Sequence, residues 1–443
     1  MNILFIFGTG SEVRQFLHSG IISQLAKLGN KVFISAKLSI ADEARKADVS
    51  VIELPWYDMS YPAGILSHIS KALDLSFERK YQYKAWTYNN KTKEKKRLDL
   101  LIGIFASFKP VRYVLSVLER RLQKSSKVLS QPLVRLLAEQ NIQKVIVNAA
   151  RNYPAVLFAA QSLNIPAIIL YHTNKDIYAQ GRLNFRFTRY GVWNKEMAQE
   201  LMFYNPFIKS DAVEIIGCSH FSYLLNNKFE ASRDILLKEY NLDHDGDFLV
   251  LYTAAGPGVI LNEPEYINDI YESLEDTGIK NFKIIIRTNP MDFTNLWDSI
   301  QSDKIIVIRP KWFYDPIVFF NYTKYEDLKD YVSLLRSCNV CINIPSTVTV
   351  ECAIFKIPVI NICYNNKLNA GSDILKFWNA PFYKNAVKYK AAIPAFSAQE
   401  LKDSLRYIKN GSHISDNQRL FLKNELGIEI GEMIQAGCKC IIS

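Results

Sequence analysis

Short apolar runs alternate with helix-length amphipathic stretches along the first half of the chain. The runs predict strands at 3–7, 31–35, 51–54, 144–148, 167–171, 189–193 and 212–216. The stretches between them predict helices that include 13–28, 155–163 and 196–204. Because a strand, a helix and a second strand form a β-α-β unit, this half predicts a parallel sheet covered by helices on both faces.

The same alternation starts again near residue 247. Strands are predicted at 248–253, 282–287, 305–308, 340–344 and 359–362, with helices that include 267–277, 328–337 and 349–355. A length of 443 residues suits two cores of about 200 residues each. We therefore predict an α/β protein with a first Rossmann-like domain at 1–230, a second at 231–412 and a closing helical tail at 413–443. The polar stretch 226–247 is predicted to bridge the domains with one helix inside it.

Residues 78–122 depart from this pattern. The part at 78–99 is rich in basic and aromatic residues, and the part at 100–122 is apolar with scattered basic residues. A solvated surface helix with a packed neighbour is one interpretation. A surface that docks on an anionic membrane, or that grips a lipid-linked acceptor, is another. Binding of single-stranded nucleic acid would fit the composition, although no other feature of the chain favours it.

The charge balance favours an acidic partner. The chain has 54 basic and 44 acidic residues, which gives a net charge of +10. A nucleotide diphosphate, an anionic membrane and a nucleic acid all satisfy that balance. The opening apolar run is short and has no basic flank, so it predicts a buried strand and not an export signal. We accordingly expect a cytoplasmic protein, at most peripheral at the inner membrane face, whose seven cysteines are reduced.

The most specific motif lies at 342–361, where a predicted strand ends, a short helix follows and another buried strand begins. Ser346 and Thr347 fall at the expected start of that helix, where free N–H groups and two hydroxyls favour an anion. Glu351 lies one helical turn after Thr347 on the same face, where its carboxylate could accept from two ribose hydroxyls. A capped helix with a surface glutamate is the structural alternative.

Two further strand ends in the second half carry candidate phosphate groups. Thr253 ends the strand at 248–253, and Gly256 lies in the turn that follows it. This glycine-containing turn lacks the spacing and the lysine of a P-loop. Arg287 ends the strand at 282–287, where its guanidinium could fork onto phosphate oxygens. Because strand ends of a parallel sheet meet at one edge, these side chains are expected in a common ligand crevice.

The first half offers two candidate elements. The loop after the first strand contains Gly8, Gly10, Ser11, Glu12 and Arg14, and it would face a ligand as an acceptor or phosphate loop. In it, Glu12 is a candidate base and Arg14 a candidate phosphate contact. A tight turn with a helix cap is the alternative.

The other element is His172, which follows the strand at 167–171 and is a candidate general base. No histidine or cysteine set has metal-ligand spacing, so we expect no protein-built metal site and no cofactor. Residues 440–443 (CIIS) fit a C-a-a-X lipidation box, a four-residue match that we interpret as coincidence.

Several segments resemble bacterial surface-carbohydrate glycosyltransferases of the glycosyltransferase-B (GT-B) superfamily. The similar segments are 187–201, 213–217, 251–256, 284–290 and 344–360. The resemblance implies two Rossmann-like domains that face each other across a cleft, with a nucleotide-sugar donor held by the C-terminal domain and no bound metal. It also implies that Ser346, Thr347 and Arg287 contact the diphosphate and that Glu351 contacts the ribose.

A second resemblance is to the UDP-N-acetylglucosamine 2-epimerases, which share this fold. The opening Phe7-Gly-Thr-Gly-Ser-Glu12 is similar to their Phe-Gly-Thr-x-x-Glu, but their His-x-Glu-Ala-Gly motif has only His172-Thr-Asn-Lys175 as a counterpart. The GT-B pattern Arg-x-His-Pro is likewise replaced by Arg287-Thr-Asn-Pro290, so no role of that histidine can be transferred.

The sequence therefore predicts a glycosyltransferase that moves a sugar from a nucleotide diphosphate to a hydroxyl of a glycan or lipid-linked acceptor. A 2-epimerase-like enzyme and a glycerol-phosphate transferase are the enzyme alternatives, and a basic nucleic-acid-binding protein is the non-enzyme alternative. The identity of the sugar, the acceptor and the stereochemical outcome are left open.

Overall fold

The computed structural model describes residues 1–57, 65–80, 93–123, 131–149, 153–180, 182–183, 185–226, 240, 248–256, 259–260, 262–279, 281–366, 373–411 and 414–443. The predicted bridge at 226–247 and the aromatic residues at 81–88 lie almost wholly outside these ranges. The chain divides into two units. Unit 1 contains residues 1–223, 314–322 and 426–443, and unit 2 contains 224–313 and 323–425.

Unit 1 is built on a seven-stranded sheet in which every described pairing is parallel. Its strands are β1 (Asn2–Phe7), β2 (Lys31–Ala36), β3 (Ile52–Leu54), β4 (Lys144–Val147), β5 (Ala167–Leu170), β6 (Arg189–Val192) and β7 (Val213–Ile215), in the order β3-β2-β1-β4-β5-β6-β7. The central strands are apolar throughout because helices cover both faces, and the side chains of β1 from Ile3 to Phe7 are at most 1% exposed.

The helices of unit 1 follow the β-α-β alternation. They are α1 (Ile21–Lys27), α2 (Ala41–Lys46), α3 (Ile65–Lys80), α4 (Lys93–Ser107), α5 (Lys109–Gln123), α6 (Gln131–Glu139), α7 (Pro154–Ser162), α8 (Lys175–Gln180) and α9 (Lys195–Tyr204), with a π-helix at Val13–His18 and 3₁₀ turns at Ser210–Ala212 and Ser219–Leu225. No single helix among the described residues is long and apolar enough to cross a membrane.

Unit 2 is built on a six-stranded parallel sheet. Its strands are β8 (Phe248–Thr253), β9 (Phe282–Arg287), β10 (Ile305–Ile308), β13 (Val340–Asn343), β14 (Val359–Ile362) and β15 (Ile393–Ala395), in the order β10-β9-β8-β13-β14-β15. Between β10 and β13, β11 (Trp312–Asp315) pairs separately with β12 (Phe320–Thr323), and residues 314–322 of this pair belong to unit 1. The helices are α10 (Glu265–Asp276), α11 (Tyr325–Ser337), α12 (Val348–Ile354), α13 (Leu375–Trp378), α14 (Lys384–Lys388), α15 (Ala398–Lys409) and α16 (Ser415–Leu426), with 3₁₀ turns at Asp298–Ile300 and Pro381–Tyr383.

These two parallel-sheet units confirm the predicted α/β class with two Rossmann-like domains. The strands at 248–253, 282–287, 305–308 and 359–362 have the predicted bounds. The predicted helix at 13–28 is instead broken, because Gly20 takes φ 98° between the π-helix and α1. The β11–β12 pair and the edge strand β15 were not predicted. The cleft between the domains stays a prediction.

The predicted tail at 413–443 is helical. A final helix, α17 (Met433–Ile442), follows a 3₁₀ turn at Ile430–Glu432 and belongs to unit 1, where it packs against α1 and β6. It does so because its face with Met433, Cys438 and Cys440 is apolar and fully buried. The units thus differ from the predicted boundaries 1–230, 231–412 and 413–443. Burial of Cys440 also removes the C-a-a-X cysteine from the surface.

Candidate functional site

A row of polar residues crosses the sheet of unit 2 at the carboxyl ends of four strands. Arg287 of β9 pairs in register with Thr253 of β8, Thr253 with Asn343 of β13, and Asn343 with Asn361 of β14. All four are at most 9% exposed. Open parallel sheets bind ligands at this edge, so the row marks the candidate site of unit 2.

Arg287 is held rigidly in this row. Its Nη2 donates to Asp327 Oδ2 at 2.7 Å, and its guanidinium lies 4.6 Å from the ring centroid of Tyr331. Asp327 also accepts from the backbone N–H of Lys311 at 2.7 Å and from Trp312 Nε1 at 2.9 Å. The side chain is therefore oriented before any ligand arrives, which lowers the entropy that binding would cost.

Three buried polar atoms at this edge have no hydrogen-bond partner among the described residues: Arg287 Nη1, Thr253 Oγ1 and Thr288 Oγ1. Thr253 and Arg287 are register partners, and Thr288 follows Arg287 directly. A buried polar group without a partner costs roughly 1–3 kcal/mol, so such groups are usually satisfied by water or by a ligand. A guanidinium and two hydroxyls are donors suited to phosphate oxygens.

The predicted residues Ser346, Thr347 and Glu351 lie on the next element of the same edge. Ser346 Oγ accepts from Asn343 Nδ2 at 3.1 Å and from the N–H of Val348 at 3.3 Å, so it caps the short helix α12. Thr347 is exposed, and its side chain makes no capping hydrogen bond. The structure thus joins Ser346 to the polar row through Asn343.

Glu351 is 5% exposed and accepts a short hydrogen bond from the hydroxyl of Tyr331. The ring of the same tyrosine packs against Arg287. Tyr331 therefore links the two residues predicted to contact ribose and diphosphate. The ribose role of Glu351 stays a prediction.

The turn after β8 is fastened by Glu263. This carboxylate is 1% exposed and accepts from the N–H groups of Ala255 at 2.7 Å and Gly256 at 3.3 Å, and from the hydroxyl of Tyr252 at 2.9 Å. Burial raises the pKa of Glu263 to about 7, although these donors oppose the rise. Because both N–H groups already donate to Glu263, they are not free donors for a diphosphate.

Gly256 has a structural reason to be glycine. Its φ is 96°, and a Cβ there would lie 2.7 Å from the side chain of Asn289 in the turn after β9. Asn289 Nδ2 donates to the carbonyl of Ala255 at 3.2 Å, which joins the two turns. Gly256 thus shapes the candidate site, and a contact with ligand stays a prediction.

The glycine loop of unit 1 is closed by its own hydrogen bonds. Glu12 is fully buried and accepts from Thr9 N at 3.2 Å and Thr9 Oγ1 at 2.9 Å, and it accepts a short hydrogen bond from the hydroxyl of Tyr153. Burial, followed by the charge of Glu12, raises the pKa of Tyr153 well above its ordinary value. Ser11 Oγ accepts from Asn148 Nδ2 at 3.0 Å. This geometry favours a loop-holding role for Glu12, and its role as a base stays a prediction.

Both glycines of this loop are required by close neighbours. Gly10 has φ 77°, and a Cβ on it would lie 1.5 Å from the carbonyl oxygen of Asn321. A Cβ on Gly8 would lie 2.6 Å from the ring of Tyr153. These contacts leave little room for a phosphate directly at either glycine.

Charged and titratable groups gather at the carboxyl edge of the unit 1 sheet. His172 Nδ1 lies 3.1 Å from Asp176 Oδ2. Burial lowers the pKa of His172 and Asp176 raises it, and the carboxylate prevails, so the pKa lies above its ordinary value. Burial, with smaller effects from Arg14 and His172, holds the pKa of the buried His220 well below its ordinary value. The edge therefore combines one imidazole whose pKa is raised with one whose pKa is lowered.

The π-helix at Val13–His18 positions part of this edge. Gln15 within it donates through Nε2 to the carbonyl of Leu170 at 2.9 Å, and its own carbonyl accepts from Ser219 Oγ at 3.1 Å. Short π-helical segments are frequent at functional sites. Arg14 lies in this segment, and its phosphate contact stays a prediction.

Sequence reasoning missed Asp327, Tyr331, Glu263 and His220. The acidic start of α11 signals only a favourable first turn, and Glu263 has the sequence signature of an ordinary surface residue. The Gly217-Cys-Ser-His220 turn after β7 is a signal that could have drawn attention to His220, because it follows a strand end.

Two further observations concern possible metal sites and the position of a cavity relative to the polar row. Within the part of the chain that the structure describes, no group of three or more His, Cys, Asp or Glu side chains could hold a metal ion. A cavity of about 660 Å³ in unit 2 is lined by residues such as Trp378, Phe396 and Tyr407, and it shares no lining residue with the polar row.

Comparison with known proteins identifies the fold. No protein-family model matches the chain, and no curated protein matches its sequence. Among solved structures, it is similar to a UDP-GlcNAc 2-epimerase from Neisseria meningitidis bound to UDP-GlcNAc, with a TM-score of 0.57, 12% identity and 100% of both chains covered. It is also similar to a glycosyltransferase from Rickettsia africae, with a TM-score of 0.53, 11% identity and coverage of 99% of this chain and 97% of that one.

HepE from Anabaena in complex with UDP is a third similar structure, with a TM-score of 0.51, 9% identity and 99% of both chains covered. At these identities the likeness shows the fold alone. It bears out the predicted two-domain α/β fold, which the resemblances to GT-B glycosyltransferases and to 2-epimerases both imply.

Proposed function

We propose that this protein is a glycosyltransferase that uses a nucleotide diphosphate sugar, with the nucleotide bound at the carboxyl edge of the unit 2 sheet. One observation carries the proposal: at the carboxyl edge of the unit 2 sheet, Arg287 Nη1 and the hydroxyls of Thr253 and Thr288 are buried without partners among the described residues. A diphosphate supplies the acceptors that these donors lack. The fold likeness to proteins solved with UDP or UDP-GlcNAc supports the same ligand class.

In this proposal, Arg287 stabilises the departing diphosphate. Its guanidinium is fixed by Asp327 and Tyr331, so its free N–H group needs no reorganisation when negative charge develops on the leaving group. Ser346 and Thr347 would contribute further donors, and Glu351 would accept from the ribose. The enzyme needs no bound metal in this scheme, so a chelator should leave its activity unchanged.

Unit 1 would supply the acceptor side of the reaction. His172 and Glu12 remain the predicted bases, and the geometry weights them differently because the carboxylate of Glu12 is already bonded to Thr9 and Tyr153. The raised pKa of His172 makes its imidazole the stronger proton acceptor, whereas burial, which lowers the pKa of His220, makes that imidazole a weaker base. The acceptor would be a hydroxyl of a surface glycan, free or lipid-linked.

A UDP-GlcNAc 2-epimerase-like enzyme is the second candidate. The structural likeness to the Neisseria meningitidis epimerase, which covers 100% of both chains, favours this candidate. The sequence of the opening Phe7–Glu12 favours it as well. An epimerase would isomerise the donor and retain the nucleotide, whereas a transferase would release a nucleoside diphosphate. A glycerol-phosphate transferase would release a monophosphate.

The test has two stages. Isothermal titration with UDP, UMP and uridine should show affinity that rises with the number of phosphates, and the double variant Thr253→Val/Thr288→Val should lose most of that gain. Equal affinity for UDP and uridine would contradict the site. Incubation with UDP-sugars and glycan acceptors, followed by chromatography of the nucleotide products, then separates the transferase from the epimerase.

A further inference from the structure

Helices α4 and α5 form a surface of unit 1 that we call the outer helix pair. Their inward faces are tied to α3 and to the loop that contains Arg182. Asp99 of α4 pairs with Lys71 of α3 at 2.7 Å. Arg182 forms two hydrogen bonds of 2.9 Å to Glu119 of α5 and one of 3.0 Å to Asp74 of α3. The pair is thus anchored by ion pairs in which the carboxylates of Asp99 and Glu119 are buried.

The side-chain distribution on α4 is the reverse of an ordinary amphipathic helix. Its inward face carries small and polar residues: a Cβ on Gly103 would lie 3.3 Å from Leu75, and Ala106 is 1% exposed. Its large apolar side chains point outward on one helical face. They are Leu98, Leu100, Leu101, Ile104 and Phe105, with exposures from 37% to 65%.

The apolar surface continues across the bend into α5. The segments Arg97–Ser107 and Lys109–Gln123 meet at an angle of 95°. Phe108 at the bend and Tyr113, Val114 and Leu118 on α5 are 41–69% exposed. Large exposed apolar side chains concentrated on two successive helices mark an interaction site in a folded protein.

Within the described residues 97–123, the exposed charge has a single sign. Between residues 97 and 123 the acidic residues are Asp99 and Glu119, and both are buried and ion-paired. The basic residues Arg97, Lys109, Arg120 and Arg121 are exposed. A partner that meets this surface must therefore be apolar at its centre and anionic at its rim.

We propose that the outer helix pair lies in the interface of an anionic lipid bilayer, with its apolar side chains among the acyl chains and its basic side chains at the headgroups. Each helix has 15 residues and is about 22 Å long, shorter than the hydrocarbon thickness of about 30 Å. The bend and the inward ion pairs hold both helices against the protein. The pair therefore rests on the membrane and does not cross it. This proposal is independent of the nucleotide site.

The test is co-sedimentation of the full chain with phosphatidylcholine vesicles and with vesicles that also contain phosphatidylglycerol. The wild type should bind the anionic vesicles and bind the neutral ones much less. Leu101→Ser/Phe105→Ser should lower binding by at least roughly tenfold, because two large apolar side chains leave the acyl region. Arg120→Gln/Arg121→Gln should lower it by roughly tenfold and flatten its dependence on salt.

The matched control is Lys27→Gln/Leu28→Ser, which removes one exposed basic and one exposed apolar side chain at the end of α1. It should bind anionic vesicles as the wild type does, and all variants should keep the wild-type melting temperature and UDP affinity. The proposal is overturned if the wild type does not bind anionic vesicles, if it binds neutral ones equally, or if Leu101→Ser/Phe105→Ser binds normally. It is also overturned if the same substitution dissolves a dimer of the chain and vesicles bind neither form.

Discussion

The carboxyl edges of the two sheets are organised in opposite ways. At the edge of unit 2, Arg287 is fixed by Asp327 and Tyr331, while its Nη1 and two threonine hydroxyls have no partner among the described residues. At the edge of unit 1, Glu12 is bonded to Thr9 and Tyr153. The first edge thus has donors available to a ligand, whereas the second has its principal carboxylate already occupied.

This difference suggests a division of work between binding and proton transfer. Fixed hydrogen-bond donors that lack a partner select an anion and hold it in one place. A titratable group whose pKa is raised by a neighbouring carboxylate, such as His172 beside Asp176, instead sets where a proton resides. Four experiments can sharpen or break the contrast, beginning with the largest expected effect.

Replacement of Arg287 should abolish most nucleotide binding. Arg287→Met removes two charge-assisted donors, and we expect UDP affinity to fall by about 100-fold, as measured by isothermal titration. Arg287→Lys keeps the charge without the planar fork and should recover part of the loss. In both variants Asp327 keeps its bonds from Lys311 and Trp312, so circular dichroism should report a folded protein. If the UDP affinity of Arg287→Met stayed within threefold of the wild-type value, the edge of unit 2 would not be the nucleotide site.

Glu263→Gln should change how stability depends on pH. The pKa of Glu263 is raised to about 7 in the folded protein. Its contribution to the free energy of unfolding is therefore fully present below pH 4.5 and is lost as the pH rises through 7. The free energy of unfolding of the wild type should fall by roughly 2–3 kcal/mol more than that of the variant between pH 5 and pH 8. Parallel urea titrations at both pH values measure the difference, and two superimposable pH profiles would contradict it.

Thr253→Val should weaken UDP binding by roughly five- to tenfold without a loss of stability, because the hydroxyl has no partner to lose. Thr349→Val is the matched control in the same unit. The Thr349 hydroxyl is bonded to that of Tyr383 at 2.7 Å, so this variant should lose about 1 kcal/mol of stability and keep its UDP affinity. If the two variants exchange these outcomes, the open donors are not a ligand site.

Asp176→Asn should lower the pKa of His172, because burial then acts without the opposing carboxylate. The raised pKa in the wild type stabilises the fold below pH 6.5, and this contribution is lost as the pH rises through the folded value. The variant should therefore be less stable than the wild type at acidic pH and equal to it at alkaline pH. Imidazole titration by NMR measures the pKa directly, and an unchanged His172 would contradict the pairing.

The fold was largely predictable from the sequence because parallel strands buried on both faces leave continuous apolar runs. The strand Phe282–Arg287 was predicted to the residue for that reason. The break at Gly20 was missed because the apolar period continues across it, and the π-helix before it adds a residue that periodicity does not detect. The β11–β12 pair was missed because its strands are short and half polar.

The candidate site was predictable only in part. Position at a strand end identified Arg287 and Thr253, since the edge of a parallel sheet follows from topology. The partners Asp327 and Tyr331 lie about 40 residues further along the chain, on a helix. The hydrophobic pattern predicts which face of that helix is buried, but not that this face contacts Arg287. The occupied state of Glu12 depends on Tyr153, which is distant in sequence, so only the folded chain reveals it.

The composition of unit 1 from three separate stretches constrains the order in which the protein can mature on the ribosome. Residues 426–443 leave the exit tunnel after all of unit 2, yet their helix α17 packs against α1 and β6 of unit 1. Unit 2 can therefore reach its native state while the earlier-synthesised unit still waits for its final piece. Until that helix is synthesised, apolar side chains of α1 such as Ile21 lack the packing partner that it provides in the folded protein.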